Sequence, residues 1–385
     1  MKKVLILLAC IGSFVAGGAV AYFAVKPVLE RKREAVNSFQ FIPRKLAQNQ
    51  SPKLEKMIPK TPPAPQPVVL RSDEAAEAAD LLQSNFFDAP FLAGASINAS
   101  NVQEMVGKLG ARVRLGDGPT PLPSEFLAIK PELIFEGVGY WRVASFSEQG
   151  ILRLIEAWYH WRAGGLKGLV IDLRDFQAMN DYGGGADFAG LLTSPNTPLF
   201  SMQGVKFSQK VFYSARQPLE GLDKLPVIVL INGNTRGAGE VLADLLRRYA
   251  KAILVGQPTA GESALYTETK LKSGRFLRRA TAVVVTSGGE TLLGRSVEPD
   301  IWIEEDAAVQ SLALKRGYEQ GMASVVKEAP KRKQLNEASL VQEGGAELEA
   351  WVDSQQQSVK DVLEDSTLRH ALDIIQGVAL VFPSR

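Results

Sequence analysis

Cysteine and histidine are almost missing from this 385-residue sequence: one cysteine, Cys10, and two histidines, His160 and His370. A lone cysteine excludes an internal disulfide, and two distant histidines leave no zinc site of the Cys/His type. A Ser-His-Asp triad would have to draw on one of those two imidazoles. A charge excess is also missing. Lys and Arg number 44 against 42 Asp and Glu, a formal net charge of +2, which argues against a protein that captures nucleic acid electrostatically. Apolar residues make up 45%, too many for wholesale disorder, so the chain can build a sizeable core. Nothing in the sequence calls for a cofactor or a metal.

What is present begins with an uncharged run, residues 4–25, that follows Lys2 and Lys3. At ~1.5 Å per residue it is long enough to cross a ~30 Å hydrocarbon layer. Three readings stand side by side: a retained membrane anchor, cleavage after Ala21 in Ala19-Val20-Ala21, and lipidation at Cys10. Lys26, Arg31, Lys32 and Arg33 beyond the run favour a cytoplasmic body, whereas the signal-like start favours export. We take export, with the body facing the periplasm or cell exterior. Between residues 43 and 67 lie seven of the 21 prolines, a stretch that reads as an extended spacer.

The resulting division is an anchor or signal segment at 1–25, a Pro-rich linker at 26–70, a small helical cap at 71–125, an α/β core at 126–305 and a helical tail at 306–385. Helical patterns over 72–84 and 99–109 make the cap. From residue 137 strand and helix alternate. Gly137–Phe146 reads as a strand, Glu148–Arg162 as a helix with Gly164-Gly165 stopping it, and Leu169–Leu173 as a buried strand. Pro226–Ile231 and Ala252–Val255 repeat the buried-strand pattern around a helix that starts at Ala238. Such alternation predicts a mostly parallel sheet covered by helices, with 206–213 and 276–286 as decorating hairpins. In the tail, Asp365-Ser366-Thr367-Leu368 caps a helix whose Leu368, Ala371, Leu372 and Ile375 should pack on the body. Residues 327–347 read as a solvated connection.

Ligands of open α/β sheets gather where strands run into helix amino termini. Two junctions qualify. Gly183-Gly184-Gly185 lets main-chain amides approach a ligand, and Arg236–Glu240 enters a helix whose first amides favour negative charge. Each junction also reads as a tight turn and nothing more, and both readings stand. Neither has the pattern of a dinucleotide fingerprint or a P-loop.

The order GYWRVASF, GLVIDLRD, GGG, PVIVLINGNTRGAGEVLADLLRRYAKAILVGQPTAGES and VEPDI resembles the carboxy-terminal processing (tail-specific) serine peptidases over residues 137–303. The resemblance implies a crotonase-like α/β core with a helical cap, and peptide hydrolysis by a Ser-Lys dyad. A peptide-binding PDZ domain often precedes that core, but residues 110–136 are too few for a module of roughly 80–90 residues. The catalytic pattern departs further. The family's nucleophile position falls on Gly237, and its general-base lysine, in Thr-x-Gly-Lys-Gly, falls on Glu262 of Thr259-Ala260-Gly261-Glu262-Ser263. An aspartate common later in the helix is Arg248. Glu240 and Thr259, which frame the family's site, are kept. The resemblance therefore implies a degenerate, membrane-tethered peptidase that binds peptides or protein C-termini without efficient cleavage. Its binding residues would be Gly184, Gly185, Arg236, Ala238, Glu240 and Thr259, with Arg248 as a further cation. Two alternatives remain: an active peptidase with a displaced nucleophile, Ser263 or Thr235, and a structural interaction protein at the membrane. His160, beside Trp158 and Trp161, reads as a surface or core residue rather than a base.

Overall fold

The computed structural model describes residues 70–85, 98–118, 129–135, 137–176, 178–204, 207–326 and 363–381. All of them fall within the second of two compact units, residues 51–385. The apolar run at 4–25, Cys10, the Pro-rich stretch and the 327–347 connection lie outside the described residues. Among the described residues, no helix is long and apolar enough to cross a membrane.

The strands are β1 (Val113–Gly116), β2 (Lys130–Ile134), β3 (Val138–Arg142), β4 (Gly168–Asp172), β5 (Pro198–Gly204), β6 (Phe207–Tyr213), β7 (Val227–Ile231), β8 (Ile253–Gly256), β9 (Ala264–Lys270), β10 (Phe276–Thr286) and β11 (Ile301–Trp302). The helices are α1 (Ser72–Asn85), α2 (Val102–Leu109), α3 (Glu148–Arg162), α4 (Tyr182–Ala189), α5 (Ala238–Ala250), α6 (Ala307–Gln320) and α7 (Ser366–Val381). A six-stranded sheet runs β11-β8-β7-β4-β3-β2, parallel throughout except for β2 at one edge. Strands β3, β4 and β7 are buried along their whole length, as expected where helices cover both faces.

The two-residue period of a strand sorts the apolar run onto two cores. Trp141, Leu169, Ile171, Val229 and Ile231 face one cluster with Leu154, Trp158, Leu242 and Leu246 of α3 and α5. Tyr140, Val170, Ile228 and Leu230 face the other, with Leu314 of α6 and Leu368, Ala371, Leu372 and Ile375 of α7. Each fully buried Leu or Ile of this kind contributes roughly 1.5–3 kcal/mol. Ser147 caps α3 by accepting from the Gly150 amide, and the Leu368 amide donates to Asp365 Oδ1 at 2.8 Å at the start of α7.

One expectation is corrected. Residues 207–213 and 276–286 are not decorations. With β1, β5 and β9 they form a second, antiparallel five-stranded sheet. Strand β10 is eleven residues long and pairs with β9 on one side and with β1 and β5 on the other, and most of its buried and half-buried positions alternate between the two faces. Helices α1 and α2 pack on this sheet through Ala78, Leu82, Val106 and Leu109 against Leu277.

A buried ion network joins α7 to β4. Arg174, with no exposed surface, holds Asp172 through Nε at 3.0 Å and Nη2 at 2.7 Å, and holds Asp365 through Nη1 at 2.9 Å and Nη2 at 2.7 Å. Burial alone would raise the Asp172 carboxyl, but the Arg174 and Arg142 guanidinium groups outweigh it and hold the pKa below its ordinary value.

Candidate functional site

Strand β7 leads through Asn232–Arg236 into α5. Thr235 is fully buried, its hydroxyl donating to the Leu173 carbonyl at 2.9 Å and accepting from the Asn232 amide at 3.0 Å. The turn ends on Gly237 at φ 55° and ψ −118°, a conformation that L side chains rarely adopt. A Cβ placed on Gly237 would stand 2.3 Å from the Met179 carbonyl oxygen. The same carbonyl accepts the Ala238 amide at 2.8 Å. The space a nucleophilic side chain would need is therefore filled, and the amide that follows it is already hydrogen-bonded. Asn180 secures the filling segment: its side-chain amide donates to the Tyr266 carbonyl at 3.3 Å and accepts from the Tyr266 amide at 3.2 Å.

Glu240 organises the floor. It is fully buried, and five donors converge on its two oxygens. Thr259 Oγ1 and the Gly261 amide reach Oε1, both at 2.6 Å. The amides of Gly237 at 3.0 Å and Glu262 at 2.7 Å, with Ser263 Oγ at 3.3 Å, reach Oε2. Burial outweighs these donors and raises its pKa from 4.5 to about 6. One carboxylate thus ties the first turn of α5 to the 259–263 loop, and the kept pair Glu240 and Thr259 is structural in its contacts.

Glu262 also has no exposed surface, and three arginines from three elements surround it. Arg114 of β1 pairs with Oε1, while Arg236 lies 3.6 Å and Arg278 of β10 lies 3.8 Å from Oε2. That second oxygen accepts no hydrogen bond among the described residues. Arg278 stacks over the Tyr266 ring at 4.0 Å and sends Nη2 toward the Met179 sulfur at 3.5 Å. Burial lowers the Arg278 pKa; Glu262 opposes that shift, and the neighbouring Arg114 and Arg236 add to it.

The structure gathers Arg236, Ala238, Glu240, Thr259, Glu262 and Ser263 around one loop junction. The Gly184 amide donates to Asp181 Oδ1 at 2.9 Å and the Gly185 amide to the Asp181 carbonyl at 3.1 Å, which makes both part of the start of α4. Arg248 lies on α5 and pairs with Asp244 at 2.7 Å. His160 is exposed on α3. Ser263 is fully buried beneath Glu240, so a substrate carbonyl reaches its hydroxyl only if the loop opens. Among the described residues, no cluster of His, Cys, Asp and Glu could hold a metal.

Sequence reasoning missed Arg114, Arg278, Met179 and Asn180. The first two belong to the second sheet, in segments read as a cap and a hairpin. Their register is direct, Arg114 opposite Arg278, and only the pairing brings them to Glu262. For Met179 and Asn180 the sequence carries no signal, because what acts is a main-chain carbonyl and a side-chain amide.

Residues 137–303 match peptidase family S41. The carboxy-terminal processing protease CtpA of Bacillus subtilis is 24% identical over 298 residues, covering 64% of this chain and 62% of that protein. A carboxy-terminal-processing protease of Bartonella bacilliformis is 28% identical over 253 residues, covering 60% and 57%. The chain thus spans less than two thirds of the length of these homologues. Among solved structures, a photosystem II D1 C-terminal processing protease matches with a TM-score of 0.38 at 20% identity, over 55% of this chain and 53% of that one. A lipoprotein from Streptococcus agalactiae matches with a TM-score of 0.38 at 15% identity, over 62% and 93%.

Proposed function

We propose that this chain, homologous at modest identity to carboxy-terminal processing proteases, is a peptide-binding relative that does not cleave efficiently. The observation that carries the reading is the pair Gly237 and Glu262. The first offers no hydroxyl and has its side-chain direction filled by Met179. The second is a carboxylate held among arginines where the family has a lysine base. A dyad serine and lysine act as one unit, and their proton transfer is typically worth ~100- to 10,000-fold, so losing both removes the unit. The S41-like core, taken as crotonase-like, then serves as a scaffold. Its occupants are peptides or protein C-termini, the substrates that the family resemblance implies. Residues 4–25 tether the body to a membrane, on the side away from the cytoplasm.

The test is incubation of the purified chain with unstructured peptides and a serine-reactive phosphonate. Binding without shortened products and without covalent labelling is expected. Turnover or labelling that disappears in Ser263→Ala would instead establish a displaced nucleophile.

A further inference from the structure

We infer that Arg114, Arg236 and Arg278 form a docking site for the terminal carboxylate of a bound peptide. The inference rests on the peptide-binding reading above and states where in the site the chain end is recognised.

The first support is the cost of assembling the three. Arg114 and Arg278 stand directly opposite on an antiparallel ladder, an arrangement that like charges disfavour. Arg236 joins them from the turn before α5. Glu262 lowers that cost but does not use up the donors. Arg114 holds its Oε1, whereas Arg236 and Arg278 stay 3.6 Å and 3.8 Å from Oε2, beyond hydrogen-bond reach. The hydrogen bonds these two forks make are weak ones, Arg236 to Asn234 Oδ1 at 3.3 Å and Arg278 to the Met179 sulfur at 3.5 Å, and the Arg278 plane also rests on the Tyr266 ring, which leaves its N–H edge available. The buried Oε2, with no hydrogen bond among the described residues, is therefore aimed into a cluster whose forks are not committed to it.

The second support is orientation. The Glu262 side chain has no exposed surface, but Arg114 is 39% exposed, Arg236 31% and Arg278 13%. The carboxylate is buried, while the arginine side chains keep part of their surface open to solvent, Arg114 and Arg236 most and Arg278 least. Glu240, the neighbouring buried carboxylate, directs both oxygens to main-chain and hydroxyl donors instead. Glu268, across the ladder from Arg278 on its other side, is exposed. A planar guanidinium offers two parallel N–H groups to a carboxylate, which makes a free chain end the fitting ligand rather than a neutral side chain.

The experiment compares two versions of one fluorescent, unstructured peptide on the full chain, one ending in a free carboxylate and one in a carboxamide. Anisotropy at low salt should show the acid binding on the order of tenfold tighter, the difference expected of a charge-assisted pair. Arg236→Gln and Arg278→Gln should each remove most of that preference, weakening the acid far more than the amide, with thermal melts confirming that the variants fold. Glu262→Gln, which removes the internal competitor, should strengthen acid binding; a merely structural cluster would lose stability with no gain in affinity. Equal binding of acid and amide would overturn the docking site and leave the peptide-binding reading standing. Preference surviving in both arginine variants would also overturn the site. Binding of neither peptide would sink both readings.

Discussion

Restoring a side chain at Gly237 is the perturbation whose consequence the structure fixes best. The family resemblance suggests that Gly237→Ser with Glu262→Lys would rebuild a dyad. The geometry predicts otherwise. At φ 55° and ψ −118° an L residue carries about 1–3 kcal/mol of backbone strain. Its Cβ would meet the Met179 oxygen at 2.3 Å, so that carbonyl must move. Moving it strips the Ala238 amide of its partner, and a buried donor left unsatisfied costs about 1–3 kcal/mol. The sum is roughly 2–6 kcal/mol, a large part of the 5–15 kcal/mol that ordinarily holds a domain folded. Glu262→Lys would add a fourth cation among Arg114, Arg236 and Arg278 and remove their counter-ion, for about 3–5 kcal/mol more. The two costs need not add, because Gly237 and Glu262 share Glu240 Oε2. Urea denaturation of Gly237→Ala, Gly237→Ser and the double variant measures them. Alanine and serine should cost the same, since the Cβ and not the hydroxyl does the damage, and the double variant should gain no peptidase activity. A loss under about 1 kcal/mol for both single variants would show that Met179 yields cheaply and refute the reasoning.

Three further outcomes follow from the same contacts. Asp365→Ala leaves Arg174 buried with half its partners and should cost about 3–5 kcal/mol in urea, with hydrogen exchange rising along α7; a loss near zero would mean α7 is held by its apolar face alone. Glu240 has a folded pKa of about 6 against 4.5, so the folded state holds its proton more tightly. Its contribution is fully present below pH 4.5 and is lost, by about 2 kcal/mol, as pH rises through 6; Glu240→Gln should flatten that part of the stability profile, and parallel profiles would contradict the assignment. Asn180→Ala removes its two hydrogen bonds to the Tyr266 main chain and should speed exchange of the Tyr266 amide, whereas an unchanged rate would show that Asn180 does not pin the segment.

The parallel layer was legible because its strands are continuous apolar runs and its helices carry 3.6-residue spacing. Glu148–Arg162 is a helix over the full span its pattern marks. The second sheet was not legible. Its strands are half-buried, and their partners are far apart in sequence: β1 pairs with β10 across more than 150 residues. Register of that kind depends on tertiary contact, so Arg114 and Arg278 could not be placed beside Glu262 from spacing. That glycine and glutamate stand where the resemblance places a serine and a lysine was readable directly, at Gly237 and Glu262. That a main-chain carbonyl fills the space beside Gly237 was not, since any residue at 179 supplies one.

The central claim is that the scaffold binds peptides and leaves them intact. Mass spectrometry of a peptide held at saturation on the full chain for several days tests it most directly, with the Ser263→Ala variant alongside. The account predicts one unaltered mass in both samples. A shortened product with wild type, absent with Ser263→Ala, would contradict it.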